Sequence, residues 1–191
     1  MVPSWKCGWR IYTTMGLERK YARIFEVDGR VKWYRSQPLT LEFMLDGKPV
    51  RYTPDFEVAI SDTVIIVETK PALMLARSPK LQRKLDEVKR IYADRGKPWI
   101  RLGSGKLPPT PWMDAAADIE ARGRTLIDPL DEQRVLRSLQ ENGPATLQEC
   151  ASRVRRHSQP ENAVLSMILR SRRIEAEMNG PVWPGTMISL R

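Results

Sequence analysis

The chain has 191 residues, 41% of them hydrophobic, and a net charge of +9 with a pI of about 9.8. That is room for one domain or two small ones, it excludes wholesale disorder, and the charge favours a polyanionic partner such as DNA or RNA. The single histidine, His157, excludes a histidine-built metal site or a Ser-His triad within one chain, and the two distant cysteines, Cys7 and Cys150, exclude a zinc cluster or a disulfide framework and fit a reducing cytoplasm.

Met1 to Gly16 lacks the apolar region of a secretion signal, and no apolar run reaches membrane-spanning length. Met15 to Asp28 reads as a helix, with Leu17, Tyr21, Ile24 and Phe25 at helix-face spacing. Val31 to Tyr34 reads as a short strand or turn. Leu39 to Leu45 alternates like a strand, and Asp46-Gly47 is a strong hairpin signal. Val50 to Val58 alternates as one hairpin arm, turning near Ile60-Ser61-Asp62 into the β-branched run Thr63 to Val67, the signature of a buried strand. Ser78 to Arg95 is a second helix, opened by Ser78-Pro79 and stopped by Gly96 and Pro98. Trp99 to Leu102 is a further strand.

A Gly/Pro-rich stretch, Gly103 to Thr110, separates a domain over residues 1–110 from a linker helix (Pro111 to Arg124) and a second domain within 111–191, whose own helices begin near Ile127. Leu130 to Gln140 has helical spacing. Thr146-Leu147-Gln148-Glu149 is a capping box, and Pro160 to Ser171 is a third helix. Ile174 to Met178 and Met187 to Leu190 form a two-stranded wing around Asn179-Gly180-Pro181. Three helices and a hairpin are the organisation of a winged helix. Most of the excess positive charge lies before Asp128.

The chemistry concentrates in residues 51–71, RYTPDFEVAISDTVIIVETKP. The buried run ends in Glu68-Thr69-Lys70, and unpaired charges there are expensive to desolvate. Glu68 and Lys70, two apart, leave one strand face, and folding about the 60–62 turn brings Asp55 diagonally close to Glu68. Paired carboxylates are hard oxygen ligands for Mg²⁺ or, as a substitute, Mn²⁺, and a lysine beside them can orient a water or offset charge on a phosphate. The plain alternative is a strand that ends in a surface salt bridge.

Glu18, on the first helix beside Arg19 and Lys20, reads by default as an exposed helix carboxylate, and Glu42, on a strand between Leu41 and Phe43, is the other candidate for a third carboxylate. Glu57 reads as an exposed strand glutamate or a support to the pair. Lys80, Arg83 and Lys84 on the second helix read either as a solvated face or as phosphate contacts. Arg153, Arg155 and Arg156 precede the third helix of the second unit, and Arg170, Arg172 and Arg173 end it. That helix offers only Glu161, Asn162 and Ser166 as polar contacts, which is poor for base readout and favours protein docking.

Pro54-Asp55 followed by Glu68-Thr69-Lys70 is the PD…(D/E)-x-K pattern of metal-dependent nucleases. With Gly16-Leu17-Glu18, Ser36-Gln37-Pro38, Arg51 to Phe56 and Val67 to Pro71, the chain resembles the TnsA-type transposon-end endonucleases over roughly residues 13–102. The resemblance implies an α/β, restriction-endonuclease-like mixed sheet followed by a winged-helix-like domain. It implies Glu18, Asp55 and Glu68 as the acidic site, with Thr69 in the metal set, and Lys70 as catalytic lysine. Gln37 joins Lys80, Arg83 and Lys84 as expected nucleic-acid contacts. It also implies double-stranded DNA as substrate and cleavage at transposon 5′ ends with a DDE transposase and an AAA+ ATPase regulator. Such an enzyme would sit in the cytoplasm on the nucleoid, with no membrane association. The alternatives are a stand-alone phage or defence nuclease, and a non-catalytic binding module on the same fold.

Overall fold

A computed structural model describes residues 1–14 and 16–191. Met15, where the sequence pattern begins the first helix, lies outside the described residues. The chain divides into two compact units, Met1–Phe25 with Val31–Leu107, and Glu26–Arg30 with Pro108–Arg191.

The first unit opens with a small antiparallel ribbon of β1 (Val2–Pro3) and β2 (Arg10–Ile11), followed by α1 (Leu17–Val27). Its main sheet contains β3 (Val31–Ser36), which pairs across the sheet rather than with its neighbours in sequence. The next two strands, β4 (Leu41–Leu45) and β5 (Lys48–Tyr52), form a separate hairpin. Asp46 and Gly47 turn that hairpin at φ 51° and 71°, the left-handed pair that a tight two-residue turn needs. Then come β6 (Phe56–Ile60), β7 (Thr63–Thr69), a short α2 (Ala72–Ala76), α3 (Pro79–Asp94) and β8 (Trp99–Leu102). The sheet order is β3-β6-β7-β8, antiparallel at the first two pairings and parallel at the last, because α3 carries the chain from β7 to β8.

Each face of the sheet is buried by one helix. Tyr21, Ala22 and Phe25 of α1 pack with Tyr34, Phe56, Val58 and Val67. On the other side Leu85, Val88 and Tyr92 of α3, at helix-face spacing, pack with Ile66, Tyr52 and Leu41. α3 starts as its sequence predicts: Ser78 Oγ accepts from Leu81 N at 3.3 Å, Pro79 follows, and Gly96 at φ 65° lies beyond the end.

The expectation of one continuous arm from Val50 to Val58 is corrected. The strand breaks at Thr53-Pro54-Asp55, so β5 pairs with β4 and β6 with β3 and β7. Proline has no N–H to give a ladder, and the break frees Asp55 from strand geometry.

The second unit contains α4 (Thr110–Arg122), α5 (Pro129–Asn142), β9 (Ala145–Thr146), α6 (Leu147–Ala151), α7 (Pro160–Arg170), β10 (Ile174–Ala176) and β11 (Met187–Leu190). The capping box at Thr146 and Glu149 is formed. The two-stranded hairpin expected here is a three-stranded antiparallel sheet, β10-β11-β9, since Ala145-Thr146 also pairs with β11. α4, α5, α6 and β10 all pack on α7, whose residues 163–169 are buried without exception. The polar side chains at its start are engaged from within the unit. The Arg122 guanidinium pairs with Glu161 and donates to Asn162 Oδ1 at 3.2 Å, and Ser166 Oγ donates to the Ala163 carbonyl at 2.7 Å. Packing within the unit therefore closes residues 163–169 of this helix to a nucleic-acid groove.

Asp131, 0% exposed, accepts the Arg156 N–H at 2.8 Å and pairs with Arg134. Burial raises its pKa, but the backbone N–H groups of Arg156 and Arg155 and the Arg134 side chain outweigh it, and the net shift is below the ordinary 3.8. Its stabilising contribution is therefore complete above pH 3.8 and is lost as pH falls through the lower folded value. Asp131→Asn should lower the melting temperature at pH 7 and narrow the gap to wild type at the acid end, as seen by circular dichroism. Phe56→Ala, at a fully buried position, should cost about 3–5 kcal/mol in denaturant unfolding.

Candidate active site

β7 places the site. Ile66 faces the α3 side, so Glu68 projects the same way, and the strand ends one residue later. Glu68 is 3% exposed, and a carboxylate there needs partners. Lys70 Nζ lies 2.8 Å from its Oε1, and the Tyr52 hydroxyl donates to its Oε2 at 2.7 Å. Tyr52 is itself held by the Trp99 indole N–H at 3.4 Å, and Lys84 Nζ lies 5.6 Å from the centre of its ring.

Asp55 reaches the same edge from the break between β5 and β6. Its Oδ2 accepts both the backbone N–H and the hydroxyl of Thr69, each at 2.7 Å, and lies 3.8 Å from Lys70 Nζ. Its carbonyl accepts the N–H of Gln37, which turns at φ 48°. Gln37 thus holds Asp55 through the backbone. Among the described residues Asp55 Oδ1 accepts no hydrogen bond. The Lys70 N–H points to Leu102 O on β8 at 3.1 Å, so the Thr69 carbonyl, trans to it, points away from β8.

Charge follows from this crowding. Burial raises the Glu68 pKa, the neighbouring Asp55 charge raises it further, and Lys70 and Tyr52 only partly pull it back. Burial works against a charged Lys70, but Glu68, Asp55 and Glu18 outweigh it and lift the pKa above the ordinary lysine value. Two carboxylates thus share one lysine in a half-enclosed edge. This donor set fits a hard divalent cation, which takes oxygen ligands and tolerates waters in the rest of its shell. Asp55 Oδ1 keeps both lone pairs free of hydrogen bonds among the described residues, and each Glu68 oxygen has a second lone pair.

Glu18 is in the first turn of α1. Tyr21, one turn on, donates to the Gly103 carbonyl at 2.8 Å just past β8, which sets this end of α1 beside the ends of β7 and β8. Its carboxylate accepts from Thr14 N at 2.9 Å and Thr14 Oγ1 at 2.6 Å, and it lies near enough to act on the Lys70 charge. Among the described residues no three His, Cys, Asp or Glu side chains gather as a metal-holding group. The structure therefore assembles Asp55 and Glu68 with Thr69 and Lys70, and leaves Glu18 beside them on Thr14. Glu42 is well exposed and pairs with Arg51 at 3.1 Å.

Glu57 corrects its expectation of exposure. It is 4% exposed and is clamped by Arg35 of β3 and, at 3.5 Å, by Lys97. Of the cations on α3, Lys80 is exposed, Arg83 lies 3.5 Å from Asp46, and Lys84 donates to the Arg51 carbonyl at 2.9 Å. Tyr52 is the participant that pattern reading passes over, since a tyrosine at the end of an alternating strand looks like core.

No helix among the described residues is long and apolar enough to cross a membrane. No curated protein matches the chain. The family described as TnsA-like endonuclease N terminal matches residues 28–102, which include Gln37, Asp55, Glu68, Thr69, Lys70 and the α3 cations, but neither Glu18 nor the C-terminal unit. The mixed sheet and its carboxylate–lysine edge lie within that match, and over those residues the chain is similar to a TnsA-like endonuclease N-terminal domain.

Proposed function

We propose that the chain is a Mg²⁺-dependent DNA endonuclease, with Mn²⁺ as a substitute, that cuts at the 5′ ends of a transposon in concert with a DDE transposase and an AAA+ ATPase regulator. The observation that carries the chemistry is the meeting of Asp55, Glu68 and Lys70 at one end of β7, within 3.8 Å of one another through Lys70 Nζ. Asp55, Glu68 and the Thr69 carbonyl would hold the ion, with Glu18 the expected third carboxylate. When bound, it supplies polarisation of the phosphodiester and a water of lowered pKa.

The protein's own groups do the rest. Thr69 fixes Asp55 and Tyr52 fixes Glu68, so neither carboxylate has to reorganise before reaction. Lys70 stays protonated and donates to the attacking water or to a phosphate oxygen as charge builds there. Lys80 and Arg83, on the outward face of α3, contact the DNA backbone, and Gln37 holds the loop beside it. The C-terminal unit is winged-helix-like and docks the regulator. Its helices, its three-stranded sheet and the buried α7 support that reading over groove entry. Such an enzyme works in the cytoplasm, on the nucleoid.

Asp55→Ala and Glu68→Ala should each abolish metal-dependent nicking of plasmid, assayed with the partner proteins. Cleavage at wild-type rate by either variant overturns the site. Lys70→Ala should slow cleavage by about 10²–10³-fold, as loss of one charge-stabilising donor does. Calorimetry should show that it retains more Mn²⁺ affinity than Asp55→Ala.

Glu18→Gln should depress cleavage strongly and Glu42→Gln should leave it unchanged. The reverse would move the third carboxylate onto β4. Tyr52→Phe removes the donor to Glu68 Oε2 and should lower cleavage without changing the affinity for DNA, measured in chelator.

A further inference from the structure

A groove of about 450 Å³ runs along α5 and the turn that follows α6 in the C-terminal unit. Four arginines line it. Arg134 and Arg137 share a face of α5 at i, i+3 spacing, and Arg153 and Arg155 come from the turn. Glu141 is the one carboxylate in the lining. Among the described residues Arg137 and Arg155 enter no ion pair, while Arg153 acts on Glu149 and Arg134 on Asp131. The turn is fixed from below. Asp131 is fully buried and accepts the backbone N–H groups of Arg155 and Arg156, which sets Arg155 on the groove wall.

We infer that this groove binds the sugar–phosphate backbone of double-stranded DNA, independently of sequence. Guanidinium groups match phosphate oxygens two donors at a time. Between the arginines the neutral polar lining is Gln133, Ser138, Asn142 and Ser152, the side-chain types that contact phosphate. Protein-binding surfaces are enriched in aromatic side chains, and this groove has no aromatic and one large apolar side chain, Leu130. α7 is buried, so backbone contact is not accompanied by base readout from that helix. The inference does not depend on the metal site.

The test uses the full chain in EDTA with a fluorescein-labelled 20-base-pair duplex of arbitrary sequence, followed by anisotropy from 50 to 200 mM KCl. Arg137→Glu with Arg155→Glu should weaken binding about tenfold or more and make the plot of log Kd against log salt shallower by about two, one phosphate per lost cation. Arg172→Glu with Arg173→Glu makes the same charge change away from the groove and should alter the slope by clearly less. Both groove positions are exposed, and an unchanged melting temperature confirms an intact fold. The milder Arg137→Gln with Arg155→Gln should act in the same direction. An unchanged affinity and slope, or a loss no greater than the control pair's, overturns the inference. So does a groove variant that keeps DNA binding but loses binding of polyglutamate, which would make the groove a site for acidic peptide.

Discussion

A buried strand that ends in two charges has to find partners for both, and most of the first unit is arranged around that requirement. Glu68 is 3% exposed, and Lys70 alone does not satisfy it, because Asp55 competes for the same ammonium. The remaining support for Glu68 is a tyrosine hydroxyl from the β4–β5 hairpin, while Thr69, the last residue of β7, grips the second carboxylate. Moving either charge into the core without them would cost several kcal/mol. The break at Pro54 lets Tyr52 and Asp55 arrive at the same edge, since a continuous strand would alternate them in fixed phase along one ladder.

The arrangement leaves the carboxylates in tension. Burial and the neighbouring Asp55 charge both press Glu68 towards its neutral form, and Lys70 is held charged by the same neighbours. Functional sites concentrate such opposed shifts. Glu57, one strand over, is just as buried, and Arg35 and Lys97 flank it with two cations.

Local chemistry made much of the fold legible. Asp46-Gly47, Ser78-Pro79 and the Thr146–Glu149 box each act within a few residues, and each does in space what its spacing predicts. Asp55, Glu68 and Lys70 were legible for a related reason, since a two-residue turn at Ser61-Asp62 fixes the register that brings them together. The burial of Glu57 was not, because its partners lie 22 and 40 positions away in sequence. Nor was the role of α7. Its Glu161 and Asn162 look available until Arg122, from a different helix, is seen to occupy them. β9 is two residues long, too short to carry a period. Glu18 remains the one expected ligand that sits beside the pair rather than on it.

The two ends of the β6–β7 hairpin are under unequal constraint. At the Ser61-Asp62 end the turn has only to return the chain so that Phe56 meets Val67, and a loop of another length could do so. At the Pro54 end, Tyr52 donates to Glu68 and Asp55 accepts from Thr69, two contacts set at a fixed interval of three residues. That interval is a ruler. An insertion of one residue there would leave the hairpin paired and the core filled, yet would put one of the two contacts out of reach. Length variation is therefore tolerable at the tip and excluded at the base, although both are loops on the same pair of strands.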